Sequence, residues 1–142
     1  MRVIFALLLI GFSTLSYAVE QAEEIFKQLA PSLYQIRLID KASGEKSSIG
    51  SGFQISSDGL IATNYHVISG YARHPHKYTI EYLDNQGNKA QLKLKSVDVI
   101  NDLAIVQREV SSEMPYFDIA QQAPTKGEEL YSLGNPHDLG MI

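Results

Sequence analysis

Two side chains of this sequence could cooperate in proton transfer, those of His66 and Asp102. An imidazole can accept a proton near neutral pH, and a neighbouring carboxylate can fix its tautomer and stabilise the imidazolium that forms. His66 stands in the segment IGSGFQISSDGLIATNYHVISG, and Asp102 stands in the run DVINDLAIVQ. Such a pair provides the base that a weakly nucleophilic hydroxyl, such as that of serine, requires.

The composition is that of a globular domain. The chain has 142 residues, of which 44% are hydrophobic and 20% charged, and its net charge is −4. An acidic balance without basic clusters argues against a nucleic-acid partner. Cysteine is absent, so the fold has to be stabilised by packing without disulfides.

The first eighteen residues have the pattern of a signal peptide. Arg2 precedes an apolar run over 3–12, and a polar stretch ends at Ser16-Tyr17-Ala18. The apolar run is much shorter than the roughly 20 residues that span a bilayer, which argues against a membrane anchor. We therefore expect residues 1–18 to be removed after Ala18 and the protein to be exported, to the periplasm or the medium.

The elements that must position the pair are predicted to be mostly strands. A short N-terminal helix is predicted over 19–31, ending at Pro31. The alternating residues 33–40 predict the first strand, and residues 48–56 and 60–63 predict a hairpin around Asp58-Gly59, a pair that favours tight turns. Further strands are predicted over 77–83, 90–99, 103–106 (buried on both faces) and, more weakly, 129–133. Six or seven short strands indicate an antiparallel barrel or sandwich, and periodicity alone does not choose between them.

Three motifs give the chain a family resemblance. SGFQIS-DGLIATNYHV surrounds His66, NDLAIV surrounds Asp102, and GEELYSLGNP follows near the end of the sequence. Over about residues 32–136 the chain resembles the trypsin-like (chymotrypsin-fold) serine peptidases, closest to the bacterial HtrA/Deg-like group. The resemblance implies an all-β fold with an antiparallel six-stranded barrel over 32–133 and the start of a second barrel over 134–142.

The resemblance also implies an activity, the hydrolysis of peptide bonds through a His-Asp-Ser triad. In that family His66 and Asp102 would come from the first barrel and the serine from the second. Protein or peptide substrates are the implied partners, and no cofactor or metal is expected. No serine of this chain stands in a Gly-x-Ser-x-Gly or Gly-Asn-Ser-Gly-Gly context. We therefore expect the chain alone to be inactive, and a non-catalytic, secreted, protease-like binding module remains the alternative.

Other residues near the pair have simpler interpretations. Gly50 and Gly52 are expected to allow close backbone approach beside His66. Thr63 and Asn64 are expected to hold the turn before His66. Ser51 precedes the histidine, which is the wrong order for a nucleophile in this fold.

Several residues compete with these assignments or suggest other sites. Asp98 is the rival carboxylate, although the DLAIV match favours Asp102. His74 and His76 flank Pro75 without a further cluster of ligands, which indicates a surface loop and not a metal site. His137 is likewise expected in a solvated turn. Three tyrosines are expected in the barrel wall: Tyr78, Tyr82 and Tyr131.

Overall fold

A computed structural model describes residues 21–111 and 113–134 of the chain. The predicted signal peptide, its cleavage site and His137 lie outside these residues. Within the described part, no helix is both long and apolar enough to cross a membrane.

The described residues form a mainly β structure with two short helices. Helix α1 covers residues 21–29 and continues into a 3₁₀ turn, Ala30–Ser32, which contains Pro31. A second helix, α2, covers Tyr65–Arg73. The strands are β1 Leu33–Asp40, β2 Lys46–Gln54, β3 Leu60–Thr63, β4 Tyr78–Leu83, β5 Lys89–Gln91, β6 Lys93–Asp98 and β7 Leu103–Gln107.

The strands form one antiparallel sheet whose order is β5-β4-β1-β2-β3-β7-β6. Its two end strands, β5 and β6, are consecutive in the chain and are separated by Leu92 alone. The sheet therefore closes on itself, because the continuous segment 89–98 pairs with β4 through its first part and with β7 through its last part. Counted as one interrupted strand, β5 and β6 give the six strands of the predicted barrel, and the predicted fold class is confirmed.

The predicted single strand 90–99 is wrong in one respect, since it is interrupted at Leu92. The Leu92 side chain is buried, and its backbone N–H donates to the carbonyl of Ile80 over 2.8 Å. A single chain segment that pairs at both ends of a closed sheet has to bend, and this interruption supplies the bend. Such a break depends on closure of the barrel and has no local sequence signal.

The core lies inside the barrel and under α2. Alternate residues of β1 point into it, as their period of two predicts. The opposite side of β1 is also buried, where Arg37 Nε donates to Gln35 Oε1 over 2.5 Å and Arg37 lies 3.7 Å from Glu81. The buried core cluster comprises Tyr34, Ile36, Leu38, Ile61, Val67, Ile68, Ile80, Tyr82, Leu92, Ala104 and Val106.

Local signals place the β2–β3 hairpin correctly. Gly59 has a φ of 87°, a conformation that glycine adopts without steric cost, as the Asp58-Gly59 pair predicts.

Two predictions about later strands are wrong. Residues 129–133 form no strand, and β7 is not buried on both faces, because Leu103 is 49% exposed.

Candidate active site

Helix α2 carries His66 on its first turn. The next two residues, Val67 and Ile68, are buried in the core and fix the helix against the barrel. Gly50 of β2 lies directly under the helix, where any β-carbon would overlap Cγ2 of Val67. The missing side chain at Gly50 thus lets α2 lie close to β2, and the His66 side chain is left 69% exposed beside this contact.

Asp102 lies in the turn that leads from β6 into β7. The Asp98 carboxylate shapes this turn, because its Oδ1 accepts the backbone N–H groups of Ile100 and Asn101, each over 3.1 Å. Asp98 also accepts the carboxamide of Asn101 over 2.7 Å. The rival carboxylate is therefore engaged in its own turn, and the structure places Asp102 beside His66.

Two hydrogen bonds join Asp102 to His66. Nδ1 of the imidazole lies 2.6 Å from Asp102 Oδ2, and the backbone N–H of His66 donates to Oδ1 over 2.8 Å. An ionised carboxylate only accepts hydrogen bonds, so the proton of this contact lies on Nδ1. The other ring nitrogen, Nε2, is then the imidazole's available acceptor.

The same contacts keep Asp102 ionised. The hydrogen bond from the His66 side chain, followed by that from its backbone N–H, lowers the pKa of the Asp102 carboxyl below its usual value. Partial burial opposes this effect only weakly, because the Asp102 side chain is 44% exposed. At neutral pH the site therefore presents a carboxylate paired with an accessible imidazole.

The Asp102 backbone is also engaged. Its carbonyl accepts the backbone N–H of Tyr65 and the carboxamide Nδ2 of Asn64, each over 3.1 Å. Asn64 occupies the N-cap position of α2, yet its side chain makes no capping hydrogen bond to the helix. Asp102, which lies on another element, instead accepts the N–H groups of the first two helical residues.

Sequence reasoning missed α2 itself. Its signals were Asn64, a favoured N-cap residue, and the apolar residues 65, 68 and 71 at helical spacing. Thr63 is buried, and its hydroxyl donates to the carbonyl of Ser51 over 2.8 Å, which joins the end of β3 to β2.

The other residues considered from the sequence lie away from the pair. His74 and His76 face each other edge to face with ring centroids 6.3 Å apart. No group of three or more possible metal ligands occurs among residues 21–111 and 113–134. Tyr82 is buried in the barrel core and Tyr78 packs against it, whereas Tyr131 lies outside the strands at the edge of a cavity.

That cavity, of about 490 Å³, does not include the pair. It is apolar and lies between α1, the end of β2 and the segment that follows β7. Its walls include Ile25, Leu29, Phe53, Phe117 and Leu130. His66 and Asp102 are on an open surface instead, so a substrate could reach Nε2 without any rearrangement of the described residues.

Comparisons with known proteins identify relatives of this chain. A family model described as a trypsin-like peptidase domain matches residues 50–142. The chain is 27% identical over 132 residues to "Serine protease HTRA1A" of Danio rerio, which covers 89% of this chain and 26% of that protein. It is 36% identical over 94 residues to "Probable periplasmic serine endoprotease DegP-like" of Bartonella henselae, with 66% of this chain and 18% of that protein covered.

A solved structure, that of Deg5, is similar in fold. The TM-score is 0.54 at 28% sequence identity, and the match covers 67% of this chain and 46% of the Deg5 chain. The chain spans about a quarter of the length of the first curated relatives that it matches.

Proposed function

Because this chain belongs to the trypsin-like peptidase domain family, we propose that it is part of a serine endopeptidase in which His66 is the general base and Asp102 its orienting carboxylate. One observation supports these roles above all, the distance of 2.6 Å between His66 Nδ1 and Asp102 Oδ2. General-base catalysis in acyl transfer requires a hydrogen-bonded arrangement of this kind.

The proposed chemistry follows from the hydrogen bonds. Because the Nδ1–H group of His66 is hydrogen-bonded to Asp102, His66 keeps the tautomer whose Nε2 can accept the proton of a serine hydroxyl. The serine oxygen then bonds to the carbonyl carbon of the substrate, and the imidazolium is stabilised by the ionised Asp102. Proton transfer from Nε2 to the leaving amine breaks the C–N bond and leaves an acyl-serine. A water molecule, deprotonated by His66, then attacks that ester, and return of the proton to the serine oxygen releases the acid and regenerates the serine.

The nucleophile is proposed to come from outside these 142 residues. None of their serines stands in a nucleophile motif. Ser51 lies in β2 and its carbonyl accepts the Thr63 hydroxyl, which supports a structural role. The chain alone would then lack peptidase activity, although it carries the base and the carboxylate.

The site of action is proposed to be outside the cytoplasm. The pattern of residues 1–18 predicts export, and the name of the Bartonella henselae relative describes that protein as periplasmic. The substrates are proposed to be proteins or peptides, since the relatives are named serine proteases. Detection of the mature N-terminus at Val19 by mass spectrometry would support export, whereas retention of Met1 would contradict it.

A fluorophosphonate probe tests the catalytic proposal, because it reacts with an activated serine and not with an idle one. The 142-residue chain should remain unlabelled at neutral pH, and the product of the complete gene should be labelled. A His66→Ala substitution in that product should abolish labelling. Absence of labelling in the unsubstituted gene product would instead favour the protease-like binding module, and labelling of the 142-residue chain would overturn the assignment of the nucleophile.

A further inference from the structure

Asp102 has an unusual backbone conformation. Its φ is 53°, and it is the one non-glycine residue with a positive φ between residues 21 and 134, Ser112 apart. The left-handed conformation of a non-glycine residue costs about 1–3 kcal/mol and persists only where its surroundings enforce it. The contacts that enforce it here should therefore be identifiable.

Asn64 provides one such contact. Its carboxamide Nδ2 donates to the Asp102 carbonyl over 3.1 Å, across 38 positions of sequence. The N–H of Tyr65 donates to the same carbonyl, also over 3.1 Å. Both donors come from the start of α2, so the carbonyl of Asp102 is held by the helix that carries His66.

The orientation of the carbonyl and that of the carboxylate are linked. The two groups belong to one residue, and the carboxylate accepts one hydrogen bond from the His66 ring and one from the His66 backbone. A change in φ rotates the carbonyl and the carboxylate of Asp102 together relative to the preceding turn, which the Asp98 carboxylate holds. With that turn in place, a negative φ would take both groups away from their partners on α2. The two donors to the Asp102 carbonyl therefore help to fix the geometry of the His66–Asp102 pair.

The side chain of Asn64 is not needed for its usual role. An asparagine at an N-cap normally accepts an N–H of its own helix, which is worth about 1 kcal/mol. Here that side chain makes no capping bond, and its amide donates to Asp102 instead. This choice of partner points away from helix stability and towards Asp102.

We propose that Asn64 is a positioning residue for the proposed catalytic pair: its carboxamide holds Asp102 in the left-handed conformation that aims the carboxylate at both N–H groups of His66. The proposal rests on the proposed function for its effect on catalysis. Its effect on the pair itself does not depend on any activity of the protein.

The first test therefore follows the pair by NMR in the 142-residue chain. A short N–H···O⁻ bond gives the His66 Nδ1 proton a strongly downfield resonance, and the Asp102 carboxyl can be titrated through its carbon shift. Asn64→Ala should weaken or abolish the downfield resonance, because the Asp102 carboxylate would no longer be aimed at Nδ1 of His66. It should also raise the pKa of Asp102 towards its ordinary value, since the hydrogen bonds from His66 loosen and the one from the Asn64 side chain is lost; the resonance is therefore the readout that reports positioning.

Asn88→Ala is the matched control. Asn88 is an exposed asparagine whose carboxamide donates to Asp84 over 2.9 Å in the turn between β4 and β5, away from the pair. The Asn88→Ala substitution should leave the downfield resonance and the Asp102 titration unchanged. An unchanged downfield resonance in a folded Asn64→Ala protein would show that Asn64 does not position the pair and would overturn the proposal, whatever the Asp102 titration shows.

Two further arms complete the test. If Asn64→Ala fails to fold, Asn64→Leu has a similar shape without a donor or a charge and should give the same loss of the downfield resonance. If Asn64→Leu folds and keeps the resonance, the proposal is wrong. Should both variants fail to fold, the Asn64 carboxamide proton that donates to the Asp102 carbonyl should exchange with solvent more slowly in the folded chain than in the unfolded chain, and equal rates would overturn the proposal.

The complete gene product shows whether the position matters for catalysis. There Asn64→Ala should lower kcat about 10- to 100-fold with little change in KM, since a misplacement of about 1 Å can cost ~10²-fold. Loss of the NMR signature with unchanged kcat would contradict the catalytic assignment of the pair and leave the positioning of Asp102 by Asn64 intact. The two failures are thus distinguishable.

Discussion

Gly50→Ala should destabilise the protein and disturb the site together. A β-carbon on Gly50 would overlap Cγ2 of Val67 and lie 3.2 Å from its Cγ1. Val67 is only 2% exposed, so its side chain cannot escape to solvent. Rotation of the Val67 side chain cannot relieve the overlap fully, because the added carbon would also lie 3.3 Å from Val67 Cβ. We therefore expect α2 to move away from β2, and that movement would shift the neighbouring His66.

The magnitude follows from two opposing effects. Overpacking of a well-packed core costs about 1–3 kcal/mol. Replacement of glycine by alanine at a position with compatible backbone angles returns about 0.4–1 kcal/mol through the unfolded state. We expect the free energy of unfolding to fall by roughly 1–2 kcal/mol, measured as a lower urea midpoint with an unchanged slope.

A double-mutant cycle with Val67→Ala tests the stated cause. Val67→Ala alone should cost about 1.6 kcal/mol or more, since it removes two buried carbons at about 0.8 kcal/mol each. In its presence Gly50→Ala should cost little, so the two substitutions should couple by at least about 1 kcal/mol. A Gly50→Ala protein as stable as the parent, or strictly additive effects, would refute the packing argument.

Three predictions concern the charged and titratable groups. Arg108 donates to the Tyr34 hydroxyl over 2.6 Å and lies over the rings of Tyr34 and Tyr82. Arg108→Ala should therefore lower the free energy of unfolding by about 1 kcal/mol, measured by thermal unfolding. An unchanged unfolding temperature would contradict this stabilising role of Arg108. Burial raises the pKa of Tyr34, so the free energy of unfolding should fall as the pH rises above about 10. Urea unfolding at several pH values should show a smaller fall for Tyr34→Phe. An equally steep fall in the variant would show that another group causes it. The hydrogen bonds from His66 lower the pKa of Asp102, so the contribution of Asp102 to stability should be present above about pH 4 and be lost as the pH falls through the folded-state pKa. Asp102→Asn should therefore make the free energy of unfolding fall less steeply at acid pH. An equally steep fall in the variant would be inconsistent with the assignment.

The strands and the pair were predictable because their signals are local. The alternation in β1 and the Asp58-Gly59 turn specify a strand and a hairpin without reference to the rest of the chain. His66 and Asp102 were found by the motifs around them. The six-stranded barrel followed from the family resemblance, whereas periodicity alone left a sandwich open.

Helix α2 had only weak local signals and the break at Leu92 had none, because both depend on distant contacts. Val67 and Gly70 have modest or poor helix propensity, and the helix start is capped by Asp102 from a remote turn. The interruption at Leu92 arises only when the sheet closes. The positive φ of Asp102 likewise depends on Asn64 and Tyr65. Both residues are far from Asp102 in the sequence, so the residues next to Asp102 do not indicate this conformation.

Peptide hydrolysis by the complete gene product tests the central claim most directly. His66→Ala should lower kcat by several orders of magnitude, since a base and its nucleophile act as one unit. His74→Ala removes another exposed histidine, eight positions along the chain, and should leave kcat unchanged. Equal activity of the His66→Ala protein and the parent, or equal losses in both variants, would contradict a catalytic role for His66.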